Sequence, residues 1–205
     1  MNLDLRKIRA NLYKPPSSDF VEVTVPPITY LMIDGHGDPN TDPAYANALQ
    51  TLFPAAYGVR AELKKRTGLA WVVGPLEALW SAEDPSTFTD RTKSAWDWTL
   101  ILPSPDEVTE DDIATGLAAA AAARKPGVPV GDVRAEVLEE GTCFQILHVG
   151  SYDDEGPTLA RLHHELMPGR GLTFNGRHHE IYLNDARRVA PEKLRTILRQ
   201  PVAPV

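Results

Sequence analysis

The sequence predicts an α+β fold: two pseudo-symmetric strand-helix-strand-strand modules whose antiparallel sheets join around a central ligand cleft. Three observations carry that prediction. Alternating β-type runs and helix-type spacing follow one another in the same order twice. Equivalent apolar positions keep one separation, since Tyr30 to Phe144, Tyr45 to Leu159 and Leu52 to Leu166 are each 114 residues apart. Pro and Gly clusters fall at the joints. A unit that recurs at fixed separation is a duplicated supersecondary element. The 205 residues are read as a single domain, residues 1–205, with module one at about 18–125 and module two at about 130–202.

The first module begins after the turn-rich KPPSSDF. FVEVTV alternates, PP turns the chain, and ITYLMID is apolar and β-branched, which together read as a hairpin. GHGDPNTDP is a loop. AYANALQTLFPAAYGVRAELKK carries Tyr45, Leu49, Leu52 and Phe53 on one helical stripe, and Pro54 is expected to split it into two pieces. Strands are expected around residues 70–82 and 95–102. TEDDIATGLAAAAAARK then reads as a helix. Thr109 is its N-cap, Asp112 stands three residues on, and the acidic first turn suits the positive end of the helix dipole. Arg124 and Lys125 close it and Pro126 stops it.

The second module repeats the order. VRAEVL alternates, EEG turns, and TCFQILHV is apolar. GSYDDEG is a loop, and PTLARLHHELM places Leu159, Leu162, Leu166 and Met167 on one helical stripe. GRGLTFNG leads to the strand HEIYLN. The last segment, APEKLRTILR, reads as a helix with Pro191 in its first turn. Two such modules placed side by side leave open sheet faces on a pseudo-twofold axis, and ligand sites favour such junctions.

Composition narrows the function. With 42% hydrophobic and 24% charged residues the chain is an ordinary globular protein. Its net charge of -7 repels phosphate backbones, so no nucleic-acid partner is expected. The single cysteine, Cys143, sits in an apolar run, forms no intramolecular disulfide and gives no metal spacing. MNLDLRKIRANLYK lacks the apolar stretch of a signal peptide, and no run approaches the length of a membrane span, so no membrane partner and a cytoplasmic location are expected. The adjacent pairs His163-His164 and His178-His179 diverge in direction and do not chelate one ion; no metal and no cofactor are expected. DGHGDPN lacks the phosphate-loop pattern, and Ser151 lacks the hydrolase elbow around it. Oligomeric state is not legible.

The informative stretch is RHHEIYLND. On a strand, His179, Ile181 and Leu183 point one way; His178, Glu180, Tyr182 and Asn184 point the other. A strand glutamate is more often solvated, because Glu is rarely buried without a partner. Here it stands beside a phenol and an imidazole, in a chain whose first module also carries a strand carboxylate, Glu77, three residues before Trp80. Trp96 and Trp98 lie two apart on another strand, and Tyr152 sits in the loop after TCFQILHV. Aromatic walls with one carboxylate suit a flat or cationic organic ligand: the rings give apolar contact and quadrupole attraction, and the carboxylate gives a counter-charge or a proton acceptor. A desolvated Glu180 would have a raised pKa and serve as a general base or acid.

YLMIDGHGDPN, GPLEALW, WDWTLILP and above all RHHEIYLNDARRVAPEKLRTILRQPV resemble the GyrI-like small-molecule-binding family in its stand-alone form. The resemblance spans roughly residues 15 to 202, and the C-terminal stretch is its specific part. It implies tandem strand-helix-strand-strand modules that bind amphipathic or cationic aromatic compounds in a central cleft, with aromatic walls and a buried Glu. The residue matching that Glu is Glu180. Some stand-alone members are similar to hydrolases that open cyclopropane rings of DNA-alkylating natural products, where a Glu and an aromatic residue place and activate water. Glu180 and Tyr182 fit those catalytic roles, and Glu77, Trp80, Trp98, Tyr152 and His178 are the ligand-binding candidates. Residues 1 to 20 leave no room for a helix-turn-helix, so a transcription factor is not expected.

Three readings compete. The first and favoured one is a binding module for aromatic small molecules. A water-adding hydrolase for cyclopropanoid electrophiles stands second. An inhibitor protein that docks on a topoisomerase through an acidic surface stands third, and would call for an exposed apolar patch.

Overall fold

The structure is a computed structural model and describes residues 2–84, 86–123 and 133–205. In chain order its elements are β1 (Asn2–Leu3), α1 (Leu5–Ile8), α2 (Ala10–Tyr13), β2 (Val21–Val25), β3 (Ile28–His36), α3 (Pro43–Thr67), β4 (Ala70–Trp71), β5 (Glu77–Ser81), α4 (Ser86–Thr89), β6 (Asp97–Pro103) and α5 (Glu110–Ala122). The second half adds β7 (Arg134–Leu138), β8 (Gly141–Val149), α6 (Gly156–Arg161), a π-helical turn (Leu162–Leu166), α7 (Met167–Gly169), β9 (Leu172–Phe174), β10 (His178–Tyr182) and β11 (Arg195–Pro204). The order strand, strand, helix, strand, strand recurs, as the constant separation of apolar positions requires. The α+β class with antiparallel sheet is therefore the observed one. Among the described residues no helix is long and apolar enough to cross a membrane.

The residues form two compact units, and each unit draws on both halves of the chain. One comprises Met1–Ile8, Ile28–Gly74 and Ser81–Leu138; the other comprises Arg9–Pro27, Pro75–Trp80 and Glu139–Val205. The expected β2–β3 hairpin does not form. β2 pairs with β8, with Val21 opposite Gln145 and Val25 opposite Gly141. β3 pairs instead with β6 and with β7. The Pro26-Pro27 step explains the failure, because two consecutive residues without N–H groups do not close a tight antiparallel ladder across themselves.

In the first unit, β3 lies between β6 and β7, and its Tyr30, Leu31, Met32 and Ile33 are almost fully buried. α3 covers that sheet with Leu52, Ala56, Val59 and Leu63. Its N-cap is Asp42, whose side chain accepts from the Ala44 N–H, and its C-cap is Gly68 in the left-handed region at φ 73°. Pro54 lies inside this helix and does not break it. One lost hydrogen bond costs about 3 kcal/mol; the buried stripe on both sides of Pro54 outweighs it. α5 starts as the sequence indicates. The Thr109 side chain accepts from the Asp112 N–H, and the Asp112 carboxylate accepts from the Thr109 N–H. Its expected closure by Arg124, Lys125 and Pro126 lies outside the described residues.

In the second unit the strand order is β2-β8-β11-β10-β5, all antiparallel, with β9 pairing the end of β11. APEKLRTILR is mostly strand, not helix: Pro191–Lys193 is a single tight turn and β11 follows it. Local helix propensity loses because β11 is a central strand. It is paired on both sides, to β8 and β10, and buried along most of its length. Phe20, Phe144, Ile146, Leu162, Met167, Leu198 and Val202 form the apolar layer between this sheet and the α6–α7 segment.

Candidate functional site

The register of β10 sets the site. Glu180 lies opposite Leu198 of β11 and Ala78 of β5, and His178 lies opposite Trp80. Directly paired residues share a face of the sheet. His178, Glu180, Tyr182 and Trp80 therefore stand on the face that carries Leu198 and the apolar layer. His179, Ile181, Glu77 and Arg199 stand on the other. The alternation expected of RHHEIYLND holds from His178 to Tyr182; the strand ends there, short of Leu183 and Asn184.

On the first face the groups are bonded to one another. The Tyr182 hydroxyl donates to Glu180 Oε2 at 2.7 Å and accepts from Trp80 Nε1 at 3.0 Å. The Tyr152 ring meets the Tyr182 ring edge-on, with centroids 5.6 Å apart. His178 Nε2 lies 3.6 Å from Glu180 Oε1, and only 15% and 14% of these two side chains are exposed. Burial pushes the Glu180 carboxyl up to about 7, against the opposing pull of the hydrogen bonds from Tyr182 and Trp80 and of the charge of His179. Burial drives His178 down to about 3, so its ring is neutral. Burial and then the Glu180 charge raise Tyr152 to about 12. Near neutrality the group is thus a carboxyl that both gains and loses a proton, walled by uncharged aromatic side chains.

The other face holds a connected ionic group. His179 bridges two carboxylates: its Nε2 is 3.0 Å from Glu77 Oε2 and its Nδ1 is 2.9 Å from Glu140 Oε1. Arg199 Nη1 reaches Glu140 Oε2 at 3.3 Å, and its Nη2 donates to the Leu12 carbonyl at 2.9 Å. Gln145 accepts from Arg199 and donates to the Asn11 carbonyl; Tyr13 donates to Glu77 Oε1 at 2.8 Å. Burial pulls His179 down, but the two carboxylates outweigh it and hold the imidazole above its ordinary range. Burial likewise raises Glu140, and His179 and Arg199 outweigh that, bringing it to about 2.

Of the candidates read from the sequence, Glu180, Tyr182, Trp80, Tyr152 and His178 come together in one unit. Glu77 does not join them: it is fully buried on the opposite face, committed to His179 and Tyr13. The cause is one residue of register, since Glu77 pairs with Ile181 and not with Glu180. Trp98 belongs to the other unit. It is 2% exposed, donates from Nε1 to the Gly37 carbonyl, and packs edge-on with Tyr45. Sequence reasoning missed the ionic group. Its signal was polar residues, His179 and Arg199, two positions from Ile181 and Ile197 on the same strand faces.

The GyrI-like small molecule binding domain matches residues 18–203 of this chain. The chain belongs to the GyrI-like family. Two solved structures from Listeria innocua align over their whole length with this GyrI-like chain. One is an uncharacterized conserved protein, 36% identical, covering 99% of this chain and 100% of that one, with a TM-score of 0.86. The second is a hydrolase, 34% identical, with the same coverage and a TM-score of 0.86. The C-terminal domain of EcmrR is 12% identical with a TM-score of 0.54 over 91% of this chain and 98% of that one, and shares the fold. A comparison with curated proteins finds no match.

Proposed function

We propose that this GyrI-like chain is a hydrolase that adds water to a strained, electrophilic ring on a flat aromatic small molecule, a cyclopropanoid being the fitting class. The observation that carries the reading is the Glu180 carboxyl: buried among aromatic rings, bonded by Tyr182, and raised to about 7. A general base works best with a pKa near the working pH. A residue needed only as a counter-charge would gain from being fully ionised at neutrality. The 34% identical hydrolase that spans the whole chain supports the same reading.

In the reaction the Glu180 carboxylate takes a proton from water. The hydroxide forms a C–O bond to the electrophilic ring carbon, and the C–C bond of the cyclopropane breaks. Its electron pair moves into the conjugated carbonyl, which takes up a proton from solvent while Glu180 returns its own proton to solvent. The product is the substrate plus one water, and no cofactor is needed. Tyr182 orients the carboxylate through Oε2; Trp80 and Tyr152 form apolar walls for the ring system. A second reading, a receptor that sequesters cationic aromatic compounds, is favoured by the same carboxylate lying among Tyr152, Tyr182 and Trp80.

The test is incubation of wild type and Glu180→Gln with a cyclopropane-bearing alkylator, followed by mass spectrometry of the small molecule. The hydrolase reading expects a product one water heavier, formed at least about 100-fold more slowly by Glu180→Gln. Binding of a cationic dye that Glu180→Gln abolishes, with no hydrated product, would leave the receptor reading in its place.

A further inference from the structure

β10 carries the proposed base on one face and a clamped histidine on the other, at consecutive positions. His179 is gripped at both ring nitrogens by carboxylates from two different segments, Glu77 of β5 and Glu140 just before β8. An imidazole that contacts an anionic acceptor at each nitrogen holds a proton on both. Glu140 is in turn held by Arg199 of β11. Tyr13 and the Leu12 carbonyl tie α2 into the same group. Two anions and two cations balance, and the four side chains are at most 3% exposed. Buried ion pairs of this kind add little net stability over apolar packing. Net stability therefore does not by itself account for their place in a central strand.

We propose that His179 is a positioning residue for Glu180: as an imidazolium clamped between Glu77 and Glu140, it fixes the segment of β10 that presents the base and sets a permanent positive charge directly behind it. A strand residue cannot slide or roll while its neighbour is bonded on both sides to flanking segments. The interior behind Glu180 has a low dielectric, so the charge is felt through it. The groups facing Glu180 are Tyr182 and His178 of β10, Trp80 of β5, Leu198 of β11 and, beyond Tyr182, Tyr152. Those facing His179 are Glu77, Glu140, Arg199 and, through Glu77, Tyr13. His179 is the cation adjacent to the base, and its removal makes the charged carboxylate harder to form.

The role rests on the proposed hydrolysis for its purpose, but its test does not need a substrate. Nitrogen NMR of His179 in the wild type should show both ring nitrogens protonated at pH 7; a neutral imidazole overturns the proposal without any variant. Carbon NMR of the Glu180 carboxyl is then followed through pH in wild type and in His179→Gln/Glu140→Gln, which removes one charge of each sign. The Glu180 midpoint should rise by roughly half a unit or more in the double variant. The acid limb of kcat/KM for the cyclopropanoid substrate should move with it. A folded double variant whose Glu180 midpoint stays in place overturns the role. Absence of turnover in the wild type together with a shifted midpoint would sink the hydrolase reading and leave the clamp standing.

Discussion

Glu180 holds two opposed requirements in one side chain. Reactivity asks for a carboxylate; burial disfavours its charge. Its pKa is raised from 4.5 to about 7, which makes the residue a stability cost at alkaline pH. The sign follows from linkage: a folded-state pKa above the unfolded value means that stability is fullest below pH 4.5 and is lost as pH rises through 7. The loss at pH 8 is on the order of 3 kcal/mol at 1.36 kcal/mol per unit. Glu180→Gln should therefore unfold at a higher temperature than wild type at pH 8 and at a similar one near pH 4, as thermal unfolding followed by circular dichroism would show. Tyr182→Phe tests the opposite pull. Its hydroxyl donates to the carboxylate and lowers that pKa. Without it the acid limb of the kcat/KM profile should move to higher pH, while the Trp80 N–H keeps its hydrogen bond to the Glu180 carboxylate. An unchanged limb would remove Tyr182 from the site. The residues of RHHEIYLND that share the Glu180 face were legible because alternation is a local property of a strand. The misassigned Glu77 was not, because its face depends on how β5 registers against β10.

Among the elements, the crossing of α3 and α5 turns on two glycines. A methyl group at Gly116 would strike the backbone of Val59, and one at Gly58 would strike the Gly116 carbonyl. Helix propensity alone favours Gly116→Ala by about 1 kcal/mol. The clash is with backbone, which yields poorly, and overpacking costs about 1–3 kcal/mol. Gly116→Ala should thus lower the urea midpoint with the slope unchanged; a raised midpoint would show that the helices separate freely. α5 also shows which part of a helix is written locally. Thr109 and Asp112 announce its start in the sequence, and the capping box is present. That Asp112 also accepts from Arg66 of α3, at 3.0 and 3.1 Å, was not readable, since the partner lies in a distant segment. β11 errs in the other direction. APEKLRTILR has acceptable helix propensity, and pairing on both edges overrides it.

For the whole molecule, the consequence of shared strands is that neither half of the repeat is self-sufficient. The unit containing Glu180 takes α2, β2 and most of β5 from the first half. A fragment of residues 130–205 would lack the strands that cover both edges of β8, β11 and β10, and also Tyr13 and Glu77 of the ionic group. Expressed alone, it should give the collapsed amide spectrum of an unfolded chain in proton–nitrogen NMR; dispersed peaks would show that the half folds without these pieces. Local chemistry in the amino-acid order fixes the α+β class, the repeated sequence of elements, the start of α5 and the two faces of β10, because period, caps and alternation involve residues a few positions apart. Strand partners, the survival of α3 through Pro54, the strand state of β11 and the clamp around His179 depend on groups tens to well over a hundred residues apart. Those contacts are chosen by burial and hydrogen-bond pairing summed over the folded chain, and no window of sequence contains that sum.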